Sequence, residues 1–68
     1  MLLSNIIREV RAKWNMTQQE LADRTGVSRQ TINSIESGKY VPSTVLAIKI
    51  AMVFNTTVNE IFELKEKD

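Results

Sequence analysis

The sequence predicts an all-α domain of five short helices, and three observations carry that prediction. Apolar residues recur at helical spacing in several segments, as expected for helices that bury one face. Helix-capping residues precede those segments, and Gly26, Gly38, Pro42 and Asn55 stand where helices should end. The 68 residues are expected to form a single domain, 1–68, small enough for oligomerisation to help its stability.

The amino-acid composition excludes several classes of functional site. The chain has no Cys and no His, which removes disulfides, thiolate chemistry and the usual zinc ligands. Paired carboxylates in a plausible cleft are also missing, so we expect no metal, no cofactor and no enzymatic activity. No apolar run approaches a membrane span, and no signal peptide is recognisable, so a cytoplasmic protein without membrane insertion is expected. Residues 1–49 carry seven basic and four acidic side chains, whereas residues 50–68 carry two and four, an asymmetry typical of a nucleic-acid face at one end.

The first helix is expected to be capped by Ser4 or Asn5 and to run to about Lys13. Its inward residues would be Ile7, Val10 and Trp14.

Residues 17–37 have the features of two short helices joined by a tight turn. Thr17 and Glu20 form a capping box for the first of them. Gly26 supplies the positive φ that ends a helix at low cost, and Ser28 caps the next helix at once. A helix, a short turn around a glycine and a second helix make a helix-turn-helix motif.

The second motif helix, residues 28–37, separates polar from apolar side chains. At about 100° per residue, Ile32 and Ile35 fall on one arc, together with Thr31 and Glu36. The opposite arc holds Arg29, Gln30, Asn33, Ser34 and Ser37. An ordinary solvated face is the alternative interpretation, but this face lacks the Glu and Lys that such helices favour. Arg, Asn and Gln are the side chains that read base edges in the major groove, so we expect it to bind double-stranded DNA.

The loop after the motif supplies further candidates. Gly38 ends the helix, and Pro42 keeps Val41 out of helical geometry. Lys39 is placed to meet a phosphate, whereas Tyr40 either covers the edge of the core or hydrogen-bonds to the DNA backbone.

Two more helices are expected after this loop. Ser43 would cap the fourth, which runs to about Phe54 and has Leu46, Ile50, Val53 and Phe54 as its inward set. Asn55 would stop it. Thr57 and Glu60 would form a second capping box for a short fifth helix that presents Val58, Ile61 and Phe62.

The run TQQELADRTGVSRQTINSIESGKYVPS resembles the Cro and phage-repressor type of helix-turn-helix family, and overall the chain is most similar to its small stand-alone members. The resemblance extends from Ile7 to Phe62. It implies a lambda-repressor-like five-helix domain and a sequence-specific transcriptional regulator. Repression by promoter occlusion is the simplest expectation for a chain without an activation or effector domain, and activation through contact with polymerase is the alternative. It also implies that Gln18 contacts a phosphate and that Arg29 and Gln30 are the principal base readers. The whole set expected at the DNA is Gln18, Ser28, Arg29, Gln30, Thr31, Asn33, Ser34, Ser37, Lys39 and Tyr40. The chain departs from the family at Thr25, where an aliphatic residue is usual.

An ion pair between Arg11 and Glu36 is expected inside the domain. Glu36 falls on the inward arc, where a carboxylate is costly unless it is paired. Arg11 lies at the edge of the buried stripe of the first helix, and the family counterparts of the two residues pair. Two unrelated surface charges are the alternative.

The chain ends suggest a dimer. Met1-Leu2-Leu3 and Phe62-Glu63-Leu64 are short apolar segments outside the helical pattern. Paired antiparallel, they would make a two-stranded ribbon, which is marginal by itself and needs a surface to pack on. A second copy would provide it, as the resemblance also implies, with Leu2, Leu3, Val58, Ile61, Phe62 and Leu64 at the dimer interface. Such a homodimer would bind a palindromic operator. The alternative to the dimer is a monomer with frayed ends. The alternative to the regulator as a whole is an antitoxin or other protein-interaction module of the same fold, acting on a regulatory protein partner.

Overall fold

The five predicted helices and the ribbon are both present in the computed structural model, which describes residues 2–66. In chain order the elements are β1 (Leu2–Asn5), α1 (Ile7–Lys13), α2 (Gln18–Thr25), α3 (Arg29–Glu36), α4 (Thr44–Val53), α5 (Val58–Ile61) and β2 (Phe62–Lys65). The predicted fold class is therefore confirmed. No helix within residues 2–66 is long and apolar enough to cross a membrane.

Local capping determines where α2 and α3 begin. The Thr17 hydroxyl accepts a hydrogen bond from the Glu20 amide at 3.0 Å, and the Glu20 carboxylate accepts one from the Thr17 amide at 2.9 Å. Hydrogen bonding of the Glu20 carboxyl to the backbone amide of Thr17, and to a lesser extent to the Thr17 side chain, lowers the pKa of Glu20. Gly26 has a φ of 77°, and the Ser28 hydroxyl accepts from the Thr31 amide at 3.1 Å. The capping box, the turn and the second cap are all where the sequence predicts them.

The start of α1 differs from the prediction. Ser4 and Asn5 belong to β1, and the helix begins only at Ile7. Pairing with β2 holds this segment extended, and the Ser4 hydroxyl donates across the ribbon to the Glu63 carbonyl at 3.3 Å. From its position in β1, Asn5 still binds the first residue of α1, because its side-chain oxygen accepts a hydrogen bond from the Ile7 amide at 3.1 Å.

The second predicted capping box is wrong. Thr57 precedes α5, but its side chain makes no capping hydrogen bond, and the Glu60 amide donates to the Thr57 backbone carbonyl at 3.1 Å instead. The helix has only four residues before the chain becomes β2. By contrast Ser43 caps α4 as predicted, since its hydroxyl accepts from the Leu46 amide at 3.1 Å.

The core lies where α1 to α5 meet, and its fully buried side chains are Ile7, Leu21, Ile32, Ile35 and Ile50. The inward set predicted for α4 packs on the core: Leu46, Ile50 and Phe54 are buried, and Val53 is half-buried against them. Ala51 is buried as well. Trp14 is half exposed and packs edge-on against Phe54, with ring centroids 5.9 Å apart.

Thr25 occupies the position where the family usually has an aliphatic side chain, and it is buried. Its hydroxyl donates to the Leu21 carbonyl at 2.8 Å, one turn back in α2. The polar group is therefore satisfied inside the helix, and the turn after α2 keeps its geometry.

The ribbon pairs β1 with β2 antiparallel, and its register is Leu2↔Lys65, Leu3↔Leu64, Ser4↔Glu63 and Asn5↔Phe62. Met1, which the sequence assigned to the ribbon, lies outside the described residues. Ile61 and Phe62 are 2% and 7% exposed and belong to the core of the single chain. Their place at a dimer interface therefore needs correction, since almost no surface of either side chain is left for a partner.

Candidate DNA interface

The polar arc of α3 faces outward, because Ile32 and Ile35 hold the opposite side of the helix in the core. Five of the predicted DNA-contacting residues are exposed along or beside this helix: Ser28, Arg29, Gln30, Asn33 and Ser37. Thr31 and Ser34 are half-buried at the edge of the same surface. The structure thus brings the residues of α3 that the sequence singled out onto one accessible face.

Gln18, the first residue of α2, connects that face to the rest of the motif. Its side-chain oxygen accepts from the Arg29 guanidinium at 3.4 Å, and its side-chain nitrogen donates to Asn33 Oδ1 at 3.2 Å. The same nitrogen donates to Glu36 Oε1 at 3.1 Å. One carboxamide therefore orients an arginine and an asparagine that can read bases.

The hydroxyl groups of Ser28, Thr31 and Ser37 make hydrogen bonds within α3 and its two capping residues. The Ser28 and Thr31 side-chain oxygens lie 2.9 Å apart, and Ser37 donates to the Ser34 carbonyl at 3.2 Å. A hydroxyl group can make more than one hydrogen bond, so each retains capacity toward a base or a phosphate.

The loop after α3 folds back onto the helix. Gly38 has a φ of 80°, and the amides of Lys39 and Tyr40 both donate to the Ser34 carbonyl, at 2.9 and 3.2 Å. The Tyr40 side chain is half exposed and lines a shallow cleft together with Ser28, Gln30, Thr31 and Ser34. Tyr40 also lines a second groove with Val27 and Leu46 at the edge of the core, so both of the roles left open for Tyr40 remain open.

Behind this face lies the expected ion pair. Arg11 Nε donates to Glu36 Oε2 at 2.7 Å and Nη2 donates to Oε1 at 3.1 Å, while Nη1 donates to the Met16 carbonyl at 2.9 Å. The Glu36 side chain is 1% exposed, and the Arg8 guanidinium approaches it to 3.6 Å. Burial raises the pKa of Glu36, but hydrogen bonds from Arg11 and Gln18 and the charges of Arg11 and Arg8 outweigh that effect, so the pKa is lowered.

Comparison with known proteins assigns the chain to a family. Residues 7–61 match the family model described as helix-turn-helix. The chain belongs to this family. It is 56% identical over 62 residues to an HTH-type transcriptional regulator of Archaeoglobus fulgidus, a match covering 91% of this chain and 87% of the relative. It is 39% identical to the HTH-type transcriptional regulator YgzD of Bacillus subtilis, over 97% of this chain and all of that protein.

A solved structure agrees with these relatives. The restriction-modification controller protein C.AhdI of Aeromonas hydrophila superposes with a TM-score of 0.75 and 28% identity, covering 79% of this chain and 82% of that one. This chain is thus a transcriptional regulator with a helix-turn-helix DNA-binding fold, of the Cro and phage-repressor type that the motif resembles.

Sequence reasoning about this helix-turn-helix regulator missed two partners of Glu36. Arg8 could have been found, because it lies three residues before Arg11 on the same face of α1. Gln18 could not, since its contact depends on how α2 packs against α3. Within residues 2–66, no group of three or more His, Cys, Asp or Glu side chains could hold a metal ion.

Proposed function

We propose that this helix-turn-helix regulator binds a specific double-stranded operator as a two-fold homodimer and represses transcription by covering the promoter. The observation that carries the proposal is the outward face of α3. It presents Arg29, Gln30 and Asn33 together, whereas the single carboxylate of that helix, on Glu36, is buried. Such a face has the donors and acceptors for base edges and no exposed acidic group to repel phosphates.

The residues of the proposed DNA interface have two roles: some read base edges, and others position the protein on the phosphate backbone. Arg29, Gln30, Asn33 and Ser34 stand where base edges would be met. Phosphate contacts, which fix the register of a protein on DNA without reading sequence, are assigned to Gln18, Lys39 and Tyr40 at the rims of the face. The amides of Lys39 and Tyr40 are tied to the Ser34 carbonyl, so α3 and the loop would meet the duplex as one rigid surface.

Two alanine variants test this division. Arg29→Ala should cost about 1–3 kcal/mol on the preferred site and relax preference at one base position. Lys39→Ala should weaken binding to all sequences alike and reduce the slope of log K against log salt by about one. Arg24→Ala removes one positive charge from an exposed position in the last turn of α2, away from the proposed contacts, and serves as the control. Equal losses for Arg29→Ala on specific and random DNA would remove Arg29 from the base readers.

The dimer is proposed to form through the ribbon. Leu2 and Leu64 are 56% and 65% exposed, and Leu3 and Val58 line a shallow groove beside them. Because Ile61 and Phe62 are already buried, they support the ribbon from beneath, and Leu2, Leu3, Val58 and Leu64 are the residues left to contact a second copy. Two protomers joined there would present two recognition helices about 34–36 Å apart, one turn of DNA.

Sedimentation equilibrium of matched variants tests the interface. Leu64→Asp should give a monomer with weakened operator binding, because it places a charge in the apolar contact. The control is Met52→Asp, at a residue that is 71% exposed and forms a separate apolar face of α4 with Val45 and Ile48. It should leave the dimer intact. The reverse result would place the dimer contact on α4, and a monomeric wild-type protein would refute the dimer altogether.

A further inference from the structure

Asn5 joins the ribbon to the recognition helix. It is the last residue of β1 and is paired with Phe62 of β2. Its side-chain nitrogen donates to the Ile35 carbonyl at 2.9 Å, and its side-chain oxygen accepts from the Ile7 amide at 3.1 Å. A single carboxamide therefore touches the first turn of α1 and the last turn of α3 from the end of the ribbon.

The acceptor of this bond belongs to the end of α3. Carbonyls in the last turn of a helix lack partners within the helix. The Ile35 carbonyl accepts from the Gly38 amide at 3.1 Å and, through its other lone pair, from Asn5. Among residues 2–66, no other hydrogen bond joins β1 or β2 directly to α3. The other constraints on the angle between the ribbon and α3 are indirect: α1 follows β1 and is held to α3 by the Arg11–Glu36 pair, and apolar packing has no direction of its own. Asn5 therefore makes the direct polar contact between the two elements.

We propose that Asn5 is a positioning residue that sets the recognition helix relative to the dimer ribbon, and thereby selects the spacing between operator half-sites. The inference rests on the ribbon-mediated dimer proposed above. In such a dimer each recognition helix is held at a fixed offset from the two-fold axis by its own connection to the ribbon. A base pair spans about 3.4 Å, so a displacement of about 2 Å in each protomer changes the matching spacing by one base pair.

The chemistry of the side chain allows its two contacts to be separated. Asn both donates and accepts, whereas an ionised Asp only accepts. Asn5→Asp can still accept from the Ile7 amide at the start of α1, where a negative charge is favourable, but it presents a carboxylate to the Ile35 carbonyl. Asn5→Ser also keeps an acceptor for Ile7, and its side chain is too short to reach α3. Both variants remove the bond to α3 and retain the bond to α1.

The experiment measures binding of the wild type and both variants to operators whose half-sites are moved closer or farther apart one base pair at a time. A single half-site duplex serves as the reference. We expect the wild type to prefer one spacing by about tenfold, a difference of about 1.4 kcal/mol. The variants should remain dimers and bind the single half-site as the wild type does, but should prefer a different spacing or lose the preference.

The outcomes separate this inference from the dimer on which it rests. If a folded variant prefers the same half-site spacing as the wild type, Asn5 does not set the spacing, but the proposed dimer is unaffected. Weaker binding to the single half-site also overturns the role of Asn5, because α3 itself would then be disturbed. A monomeric wild type overturns both the dimer and the inference.

Discussion

Glu36→Ala should be the most damaging single truncation of a charged residue in this domain. The carboxylate is 1% exposed and accepts three hydrogen bonds, two from Arg11 and one from Gln18. The Arg11 side chain is 14% exposed in the intact domain, and the loss of Glu36 leaves it with only the Met16 carbonyl as acceptor. Removing one partner of a buried pair costs about 3–5 kcal/mol. At the usual stability per residue, 68 residues give about 3–10 kcal/mol in all, so the variant should lose about a third of its stability or more.

Urea denaturation followed by the fluorescence of Trp14, the single tryptophan of the chain, measures this loss. With a slope near 1 kcal/mol per molar, the midpoint should fall by about 3–5 M, or no folded baseline should remain. Glu66→Ala, at an exposed position, is the control and should change stability by less than about 1 kcal/mol. Arg11→Ala combined with Glu36→Ala should cost less than the two single losses together, because no lone charge remains. If Glu36→Ala and Glu66→Ala both unfold at the wild-type midpoint, the pair does not stabilise the fold.

Three further predictions concern the pH dependence of stability, the positive φ of a glycine and the capping of helices. Folding lowers the pKa of Glu36 from its ordinary value of 4.5. The contribution of this carboxylate to the free energy of unfolding is therefore present above that value and is lost as pH falls through the folded-state pKa. Urea midpoints should drop more steeply in acid for the wild type than for Glu36→Gln. Gly26→Ala should lower stability by about 1–2 kcal/mol through the positive φ alone, since no atom lies within 4 Å of the added Cβ, and equal urea midpoints would contradict this. Ser43→Ala should cost about 1 kcal/mol in thermal or urea unfolding, whereas Thr57→Ala should leave the midpoint nearly unchanged because that side chain caps nothing; equal losses at the two positions would mean that Thr57 does cap α5.

Most of the fold could be predicted because its signals are local. The box of Thr17 and Glu20, the turn at Gly26 and the cap at Ser43 each involve residues within one turn of helix. The same local pattern at Thr57 is misleading. α5 has only four residues before the chain extends into β2, and its first turn is closed by backbone carbonyls rather than by the threonine hydroxyl. A capping pattern predicts a helix start, but the tertiary context decides whether the side chain takes part.

The contacts that position the site could not be predicted from periodicity. Gln18 is separated from Glu36 by 18 residues along the chain, and Asn5 is separated from Ile35 by 30. These contacts depend on the packing of α1, α2 and β1 around the recognition helix. The sequence alone placed Glu36 inward, and the family resemblance was needed to name Arg11 as its partner. The burial of Ile61 and Phe62 in the core of a single chain was not predicted for the same reason, since an apolar chain end can pack against either its own core or a second copy.

The Gln18 side chain is already occupied by hydrogen bonds within the protein. Both donations from its side-chain nitrogen are used, one to Asn33 and one to Glu36, and its side-chain oxygen accepts from Arg29. A phosphate bound by that carboxamide would displace a bond that orients a base reader. The backbone amide of Gln18 stands in the first turn of α2, where amides have no partner within the helix and the helix dipole attracts anions. We therefore expect the backbone amide to make the phosphate contact that the resemblance implies, at lower cost than the side chain. The side chain would then be left to hold Arg29 and Asn33 in place for the bases.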